Sequence, residues 1–316
     1  HVPEQDINDG NFPTVKSPNP EEKSALEMAI AKAEETQAAL ILATDPDADR
    51  VGVAVRNKDG KIVLLNGNQT AAILAYYTIS RLKETGKMPA HPMMVKTIVT
   101  TDLLSVIAAD HGVKMYDVLT GFKYIAEIIR LQEGKEKFIG GGEESYGYLG
   151  ADFVRDKDAV MTCCMIAEAA AWAACSGKTL TCLLDDIYGK YGYYAEDLLS
   201  ITKKGMNGQQ EIADMMKTFR ENPPKEICDS AVTMIKDYKL RVSKNMETGA
   251  ESAIDLPVSD VLQFFTQDGS KITVRPSGTE PKIKFYFSVI MAGSGLQVAE
   301  VAREKLSKLS AVFNSN

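Results

Sequence analysis

Short apolar runs alternate along this chain with longer stretches in which apolar residues recur every three to four positions. Leu26, Ile30 and Ala33 stand at helical spacing. Asn19-Pro20 before them reads as an N-cap followed by proline at the first helical position, and Glu21 and Glu22 suit the positive helix end. Ala39-Leu40-Ile41-Leu42-Ala43 is a short apolar run of the kind found in a fully buried parallel strand. Two further strand-like segments, Val51–Val55 and Lys61–Leu65, flank Asn57-Lys58-Asp59-Gly60, whose Asp-Gly pair predicts a hairpin.

The middle of the chain is more regular. Its pattern predicts a helix from Gly67 to Glu84, a strand over Met93–Val99, and a helix from Thr101 to His111 that stops at Gly112. A strand Met115–Leu119, a helix Phe122–Gln132 and a strand Lys137–Ile139 follow, and a buried helix Ala159–Cys175 closes the set. Such strand-helix-strand repetition implies an α/β architecture with a mainly parallel sheet covered on both faces. Tyr188–Tyr194, with Gly189 and Gly192, reads as a linker. Beyond it come a helix Gly208–Arg220 and strands Ala231–Ile235, Val261–Thr266, Lys271–Val274 and Ile283–Ile290. A final helix carries Val298, Ala302, Leu306, Leu309 and Phe313 on one face. Hairpins with segregated helices read as an α+β domain.

Composition narrows the function classes. A length of 316 residues suggests roughly two domains. The balance of 36 basic against 43 acidic residues, net −7, disfavours a nucleic-acid partner while leaving room for a small anionic ligand. The longest apolar stretch, Ala159–Cys175, is interrupted by Glu168, so no membrane span is expected. No signal peptide is visible at His1-Val2-Pro3-Glu4, and a first residue other than Met points to a fragment or a processed product. Cys163, Cys164, Cys175, Cys182 and Cys228 form no C-x-x-C pair and read as reduced core thiols of a cytoplasmic protein.

Three segments carry candidate chemistry. Thr44-Asp45-Pro46-Asp47-Ala48-Asp49-Arg50 follows the first buried strand directly. Three alternating carboxylates in a tight loop repel one another unless a cation neutralises them, and hard oxygen ligands select magnesium or calcium over zinc. Arg50 stands where an EF-hand loop needs its sixth-position glycine, which excludes that motif. A bound ion would keep open positions for a phosphoryl oxygen, which Arg50 could hold as well. A solvated acidic turn would explain neither the strand-end position nor the arginine.

Gly140-Gly141-Gly142-Glu143-Glu144-Ser145-Tyr146-Gly147 also follows a strand. It has neither the lysine of a Walker loop nor the third glycine of a dinucleotide fingerprint. Two carboxylates and a hydroxyl there suit sugar hydroxyls, and a plain turn fits the segment equally well. Val274-Arg275-Pro276-Ser277-Gly278-Thr279-Glu280-Pro281-Lys282 offers arginine, hydroxyls and free backbone N–H groups, a phosphate cradle or a structural hairpin. Thr120-Gly121-Phe122-Lys123 at a helix start and Arg155-Asp156-Lys157-Asp158 are smaller candidates. His1, His91 and His111 are scattered, which disfavours a Ser-His-Asp hydrolase.

In this order and at these separations, the three loops resemble the α-D-phosphohexomutase superfamily, most closely the phosphoglucomutases of its phosphoglucomutase/phosphomannomutase group. The resemblance runs over the whole chain. It implies the later part of a second α/β domain (residues 1–60), a complete third α/β domain (61–188) and a C-terminal α+β domain (189–316). The family's nucleophilic serine segment, of Thr-Ala-Ser-His-Asn-Pro type, does not occur in these residues, so the serine and its N-terminal domain are expected to lie elsewhere in the protein. By resemblance, Asp45, Asp47 and Asp49 are Mg2+ ligands and Arg50 is the arginine beside them in the active cleft. Glu143 and Ser145 grip sugar hydroxyls, Gly121 and Lys123 form a substrate-contacting turn, and Lys157 is a cleft lysine. Arg275, Ser277, Gly278 and Thr279 hold the phosphate that is not transferred. Where related mutases often carry a histidine after the Glu-x-Ser core, this chain has Tyr146-Gly147-Tyr148, so that histidine's acid/base role does not carry over.

The implied activity interconverts glucose 1-phosphate and glucose 6-phosphate through a phosphoserine, with glucose 1,6-bisphosphate as intermediate and activator. Alternatives are phosphomannomutase or phosphopentomutase activity, and a sugar-phosphate-binding piece without turnover. A haloacid-dehalogenase-like phosphatase is the remaining reading, with Asp47 as nucleophile of Asp47-Ala48-Asp49-Arg50-Val51.

Overall fold

The structure, a computed structural model, describes all residues except Lys204, Met206, Thr279, Ser315 and Asn316. The chain separates into two compact units, His1–Tyr191 and Gly192–Asn316.

The first unit opens with helix α1 (Glu27–Thr36) and an antiparallel three-stranded sheet of β1 (Leu40–Thr44), β2 (Val51–Arg56) and β3 (Ile62–Leu65). The expected parallel strand at Ala39–Ala43 is therefore corrected. Residues 45–50 turn the chain straight back on itself, and so short a connection cannot make the crossover that parallel pairing needs. Leu26 and Ala33 pack on Ile41 and Ala54 beneath this sheet. The helix expected to start at Pro20 is also corrected: α1 begins at Glu27, after a 3-10 turn over Lys23–Leu26. Pro20 is buried against β2, where a Cβ on Gly52 would lie 2.6 Å from the Pro20 carbonyl oxygen. Asn19 accepts a hydrogen bond from the Glu21 N–H at 3.1 Å, closing a local turn.

Helix α2 (Gly67–Glu84) starts with a full capping box, Asn66 and Gln69 each satisfying the other's backbone N–H. The second sheet has the order β5-β4-β6-β7, from β4 (Pro92–Thr97), β5 (Lys114–Val118), β6 (Lys137–Gly142) and β7 (Tyr148–Leu149). Its first three strands are parallel, as the alternation with α3 (Leu103–Asp110) and α4 (Phe122–Gln132) predicts, and β7 is an antiparallel edge. Met93, Val95, Phe122, Ile125, Phe138 and Leu149 form the core on one face.

Helix α5 (Ala159–Ala174) buries Ala159, Thr162, Ile166, Ala169 and Ala173, while Val160 and Cys164 face outward. The expected all-round buried helix is thus one-sided. Its alanines make the segment read as apolar but expose little area per residue. No cysteine is buried; the five are free, half-buried or exposed, which corrects the expectation of core thiols. The expected linker Tyr188–Tyr194 is corrected too, because α6 (Leu180–Tyr191) runs through it. Leu180, Leu183, Leu184, Ile187 and Tyr188 are buried at helical spacing, and only Gly192, at φ 95°, separates α6 from the next strand.

The second unit is an antiparallel sheet in the order β12-β11-β10-β13-β14-β15-β8, with β9 (Glu226–Ile227) paired to β10. Its strands are β8 (Tyr193–Thr202), β10 (Ser230–Asp237), β11 (Val242–Asn245), β12 (Glu251–Ala253), β13 (Leu262–Thr266), β14 (Lys271–Pro276) and β15 (Lys282–Met291). Helices α7 (Gly208–Glu221) and α8 (Leu296–Asn314) cover one face. Alternate residues Ile283, Phe285, Phe287 and Val289 of β15 meet Ala302, Leu309 and Phe313 there. This is the α+β organisation the sequence predicts.

Candidate functional site

The acidic loop leaves the end of β1. Asp45 is 3% exposed, and its Oδ1 accepts the backbone N–H groups of Asp49 and Arg50, both at 3.0 Å. Its Oδ2 accepts Arg50 Nε at 2.7 Å. Burial alone would raise the Asp45 pKa, but these hydrogen bonds and the Arg50 charge outweigh it and hold the carboxyl below its ordinary range. Ala48 closes the loop in the left-handed region at φ 55°, and its carbonyl accepts the first N–H of α5, from Ala159, at 3.0 Å. The Arg50 guanidinium also lies 3.4 Å from Glu21 Oε1 and 3.5 Å from Asn19 Oδ1, partners that no local sequence pattern indicates.

One carboxylate oxygen from each of Asp45, Asp47 and Asp49 falls within 4.8 Å of the others, with Asp45 buried, Asp49 half-buried and Asp47 exposed. Opposed oxygens of an octahedral magnesium stand about 4.2 Å apart, so three hard donors this close fit such an ion with small side-chain adjustment. Lys157 Nζ pairs with Asp49 Oδ2 at 2.7 Å and partly offsets the negative charge of the cluster. Burial works to lower the Lys157 pKa, but Asp49 raises it, and the ammonium stays charged.

The glycine-rich loop is built against this acidic loop. Arg50 and Gly147 form an antiparallel bridge, and the Val51 N–H donates to the Tyr146 carbonyl at 3.1 Å. Gly140–Gly142 belong to β6 itself, and Gly141 lies so close to β4 that a Cβ there would sit 2.1 Å from the Val95 carbonyl oxygen. Gly147 makes room for the aliphatic stem of Lys157, which a Cβ would meet at 2.2 Å. Glu143, only 7% exposed, accepts the Gly121 N–H at 2.9 Å. Gly121, at φ 120°, is the N-cap of α4. The structure therefore brings Asp45, Asp47, Asp49, Arg50, Gly121, Glu143, Ser145 and Lys157 to one neighbourhood of the first unit. Lys123 is exposed, with its ammonium 4.9 Å from the centroid of the Tyr124 ring.

The third loop joins β14 to β15 in the second unit. Arg275, Ser277 and Gly278 line a cavity of about 490 Å³ together with Gln209, Asp260 and Glu280. Ser277 donates its N–H to the Lys282 carbonyl at 2.7 Å, which closes the loop across its base. Thr279 lies outside the described residues. Gln209 and Asp260 were not legible as lining residues, since neither stands near the loop in sequence.

One polar cluster escaped sequence reasoning altogether. Lys96 is 1% exposed at the end of β4, paired with Asp102 and Asp117, both at 2.8 Å. Thr97 and Thr100 beside it are fully buried and reach Glu144. A lysine and two threonines ending an apolar strand were the available signal.

A sheet end carrying three clustered carboxylates beside a polar loop, and an arginine-lined cavity in the second unit, belong to an α/β protein with a C-terminal α+β unit. The chain belongs to the phosphoglucomutase/phosphomannomutase family: its residues 1–60, 66–191 and 232–289 match the family's α/β/α domain II, α/β/α domain III and C-terminal domain. It is 41% identical over 281 residues to a phosphoglucomutase of Staphylococcus aureus strain MRSA252, an alignment covering 89% of this chain and 50% of the relative. The chain spans about half the length of the curated relatives it matches. Two solved structures share the fold. The pp63/parafusin phosphoglucomutase of Paramecium aligns at TM-score 0.62 with 17% identity, over 92% of this chain and 49% of the other. A phosphoglucomutase/phosphomannomutase family protein of Burkholderia thailandensis aligns at TM-score 0.59 with 20% identity, over 96% of this chain and 53% of the other. Membership of this family displaces the phosphatase reading of Asp47. Among the described residues, no helix is long and apolar enough to cross a membrane.

Proposed function

We propose that this chain carries the metal, sugar and distal-phosphate sites of a cytoplasmic phosphoglucomutase interconverting glucose 1-phosphate and glucose 6-phosphate. The observation that carries this reading is the bonded union of acidic loop and glycine-rich loop through Arg50–Gly147 and Val51–Tyr146. In it, Asp45, Asp47 and Asp49 hold Mg2+, which when bound supplies positive charge to a transferring phosphoryl group. Arg50, kept in place by Asp45, adds a second cation toward the same group. Glu143 and Ser145 orient the sugar through its hydroxyls, beside the turn of Gly121 and Lys123, and Lys157 contacts the phosphoryl end. Arg275, Ser277, Gly278 and Thr279 hold the phosphate that stays on the sugar.

The phosphoryl donor is a phosphoserine outside these residues: it passes its phosphoryl to the glucose monophosphate to form glucose 1,6-bisphosphate, and the freed serine then takes the other phosphoryl back, leaving the isomeric monophosphate. The domain organisation in this reading is 1–60, 61–191 and 192–316, the expected 188/189 boundary moving to 191/192 because α6 runs unbroken to Tyr191. The 316-residue chain alone binds but does not turn over. An assay of it with glucose 1-phosphate, a trace of glucose 1,6-bisphosphate and Mg2+ is expected to show no glucose 6-phosphate. Robust turnover would overturn the serine's place in the mechanism. Mannose 1-phosphate and ribose 1-phosphate, run beside glucose 1-phosphate on the whole protein, test the sugar assignment, since each hydroxyl contact is worth about 1–3 kcal/mol.

A further inference from the structure

Glu144 stands between the two sugar-contacting residues of the proposed function, and that function gives it no role. Its side chain turns away from Glu143. Glu144 Oε2 lies 3.3 Å from Thr97 Oγ1 and 3.3 Å from Thr100 Oγ1, and the two hydroxyls are 2.8 Å from each other. Three oxygens thus form a closed ring with three hydrogen-bond contacts, yet the two threonines bring only two protons. The ring is complete when the carboxyl supplies the third. Both threonine hydroxyls stand as donors to Glu144 Oε2, either can instead donate to the other, and a protonated carboxyl would supply the third donor by turning its proton to Thr97.

The surroundings agree. Burial pushes the Glu144 pKa up to about 7 and the neighbouring Glu143 charge adds to the rise, outweighing the hydrogen bonds from its own backbone N–H, Thr97 and Thr100, which work to lower it. The nearest cation on β4, Lys96, is already balanced by Asp102 and Asp117, and its ammonium faces the Thr100 carbonyl oxygen at 3.4 Å. The start of α2 presents Gly67 and Asn68, neither of them charged.

The threonine shelf is firm. Thr97 and Thr100 are fully buried, and Thr101 donates its N–H to Asn68 of α2 at 3.0 Å. Gly67 lies directly under the loop, where a Cβ would come within 2.1 Å of the Glu144 carbonyl oxygen and 2.7 Å of the Tyr146 nitrogen. The segment is therefore tied to one side by Glu143 on Gly121 and to the other by Glu144 on the shelf.

We propose that Glu144 is a positioning residue for sugar recognition: its ring with Thr97 and Thr100 fixes the peptide from which Glu143 and Ser145 meet the hexose hydroxyls. The inference rests on the sugar-binding role given to Glu143 and Ser145 above. The test compares binding of glucose 6-phosphate and of inorganic phosphate to the 316-residue chain by calorimetry, with thermal melts as a check on folding. The unsubstituted chain is expected to prefer glucose 6-phosphate. Glu144→Ala should reduce that preference about tenfold while leaving phosphate affinity within about twofold. Glu144→Gln, whose amide both accepts and donates, should restore it. The double variant Thr97→Val and Thr100→Val, which keeps shape and removes the hydroxyls, should lower it like Glu144→Ala.

A hexose preference that survives both Glu144→Ala and the valine pair would overturn the inference alone. So would a Glu144→Gln variant as impaired as Glu144→Ala, or a parallel loss of phosphate affinity, which would mark a merely structural role. Equal affinity of the unsubstituted chain for the two ligands would overturn the sugar-site reading, and the inference with it.

Discussion

The glycine-rich loop of the first unit and the β14–β15 loop of the second, proposed above to hold sugar hydroxyls and a phosphate, are built in different ways. The first is held by contacts from four directions: the acidic loop through Arg50 and Val51, α2 through Gly67, the α4 turn through Gly121, and the buried hydroxyls of Thr97 and Thr100. The second joins adjacent antiparallel strands and closes on itself through Ser277 and Lys282, and a Cβ at Gly278 would meet nothing within 4 Å. Reading hydroxyl stereochemistry requires donors and acceptors fixed by surrounding structure. Holding a phosphate requires positive charge and N–H groups around an open cavity.

The largest expected effect follows from this contrast. Gly67→Ala should destabilise the first unit by about 3 kcal/mol in urea melts, because the glycine-rich loop cannot retreat from the new methyl group. A loss under about 0.5 kcal/mol would show that this loop is as free as the β14–β15 loop.

Next in size is a pH effect. The folded-state pKa of Glu144 is raised to about 7, so between about pH 4.5 and 7 the folded state holds a proton that the unfolded state releases. Stability should therefore fall as pH rises through this window and level off above it. Glu144→Gln should flatten the fall; an unchanged slope would mean that another group titrates. The second unit should behave oppositely at acid pH. Burial works to raise the Asp268 pKa, but Lys305, Thr266 and Ser270 outweigh it and depress it strongly, so that contribution is present above about pH 4 and lost on further acidification.

Arg275→Ala should weaken glucose 6-phosphate binding about tenfold, or ~1.4 kcal/mol, and leave Mg2+ affinity within about twofold. Equal loss of both in titrations would place Arg275 with the acidic loop instead. Gly278→Ala, the smallest effect, should change stability by no more than about 0.5 kcal/mol.

Much of this was legible in the sequence. Helices Gly67–Glu84 and Phe122–Gln132 fall where the sequence predicts, the first opened by the Asn66–Gln69 capping box and the second fixed by its strong 3.6-residue period. The acidic triplet was legible because its chemistry is local. The antiparallel pairing of β1 and the outward face of α5 were not. A five-residue apolar run does not encode its partner, and an alanine-rich helix does not encode which side is covered.

By itself, then, the sequence marked most of the periodic elements, α6 and β8 among the exceptions, and singled out three polar loops, because those depend on neighbours a few residues apart. Only the tertiary structure decided that Glu21 meets Arg50, that Lys157 meets Asp49, and that Thr97 and Thr100 anchor Glu144. These contacts join residues 29 to 108 positions apart, and they form only once apolar burial has brought the strand ends of the first unit together.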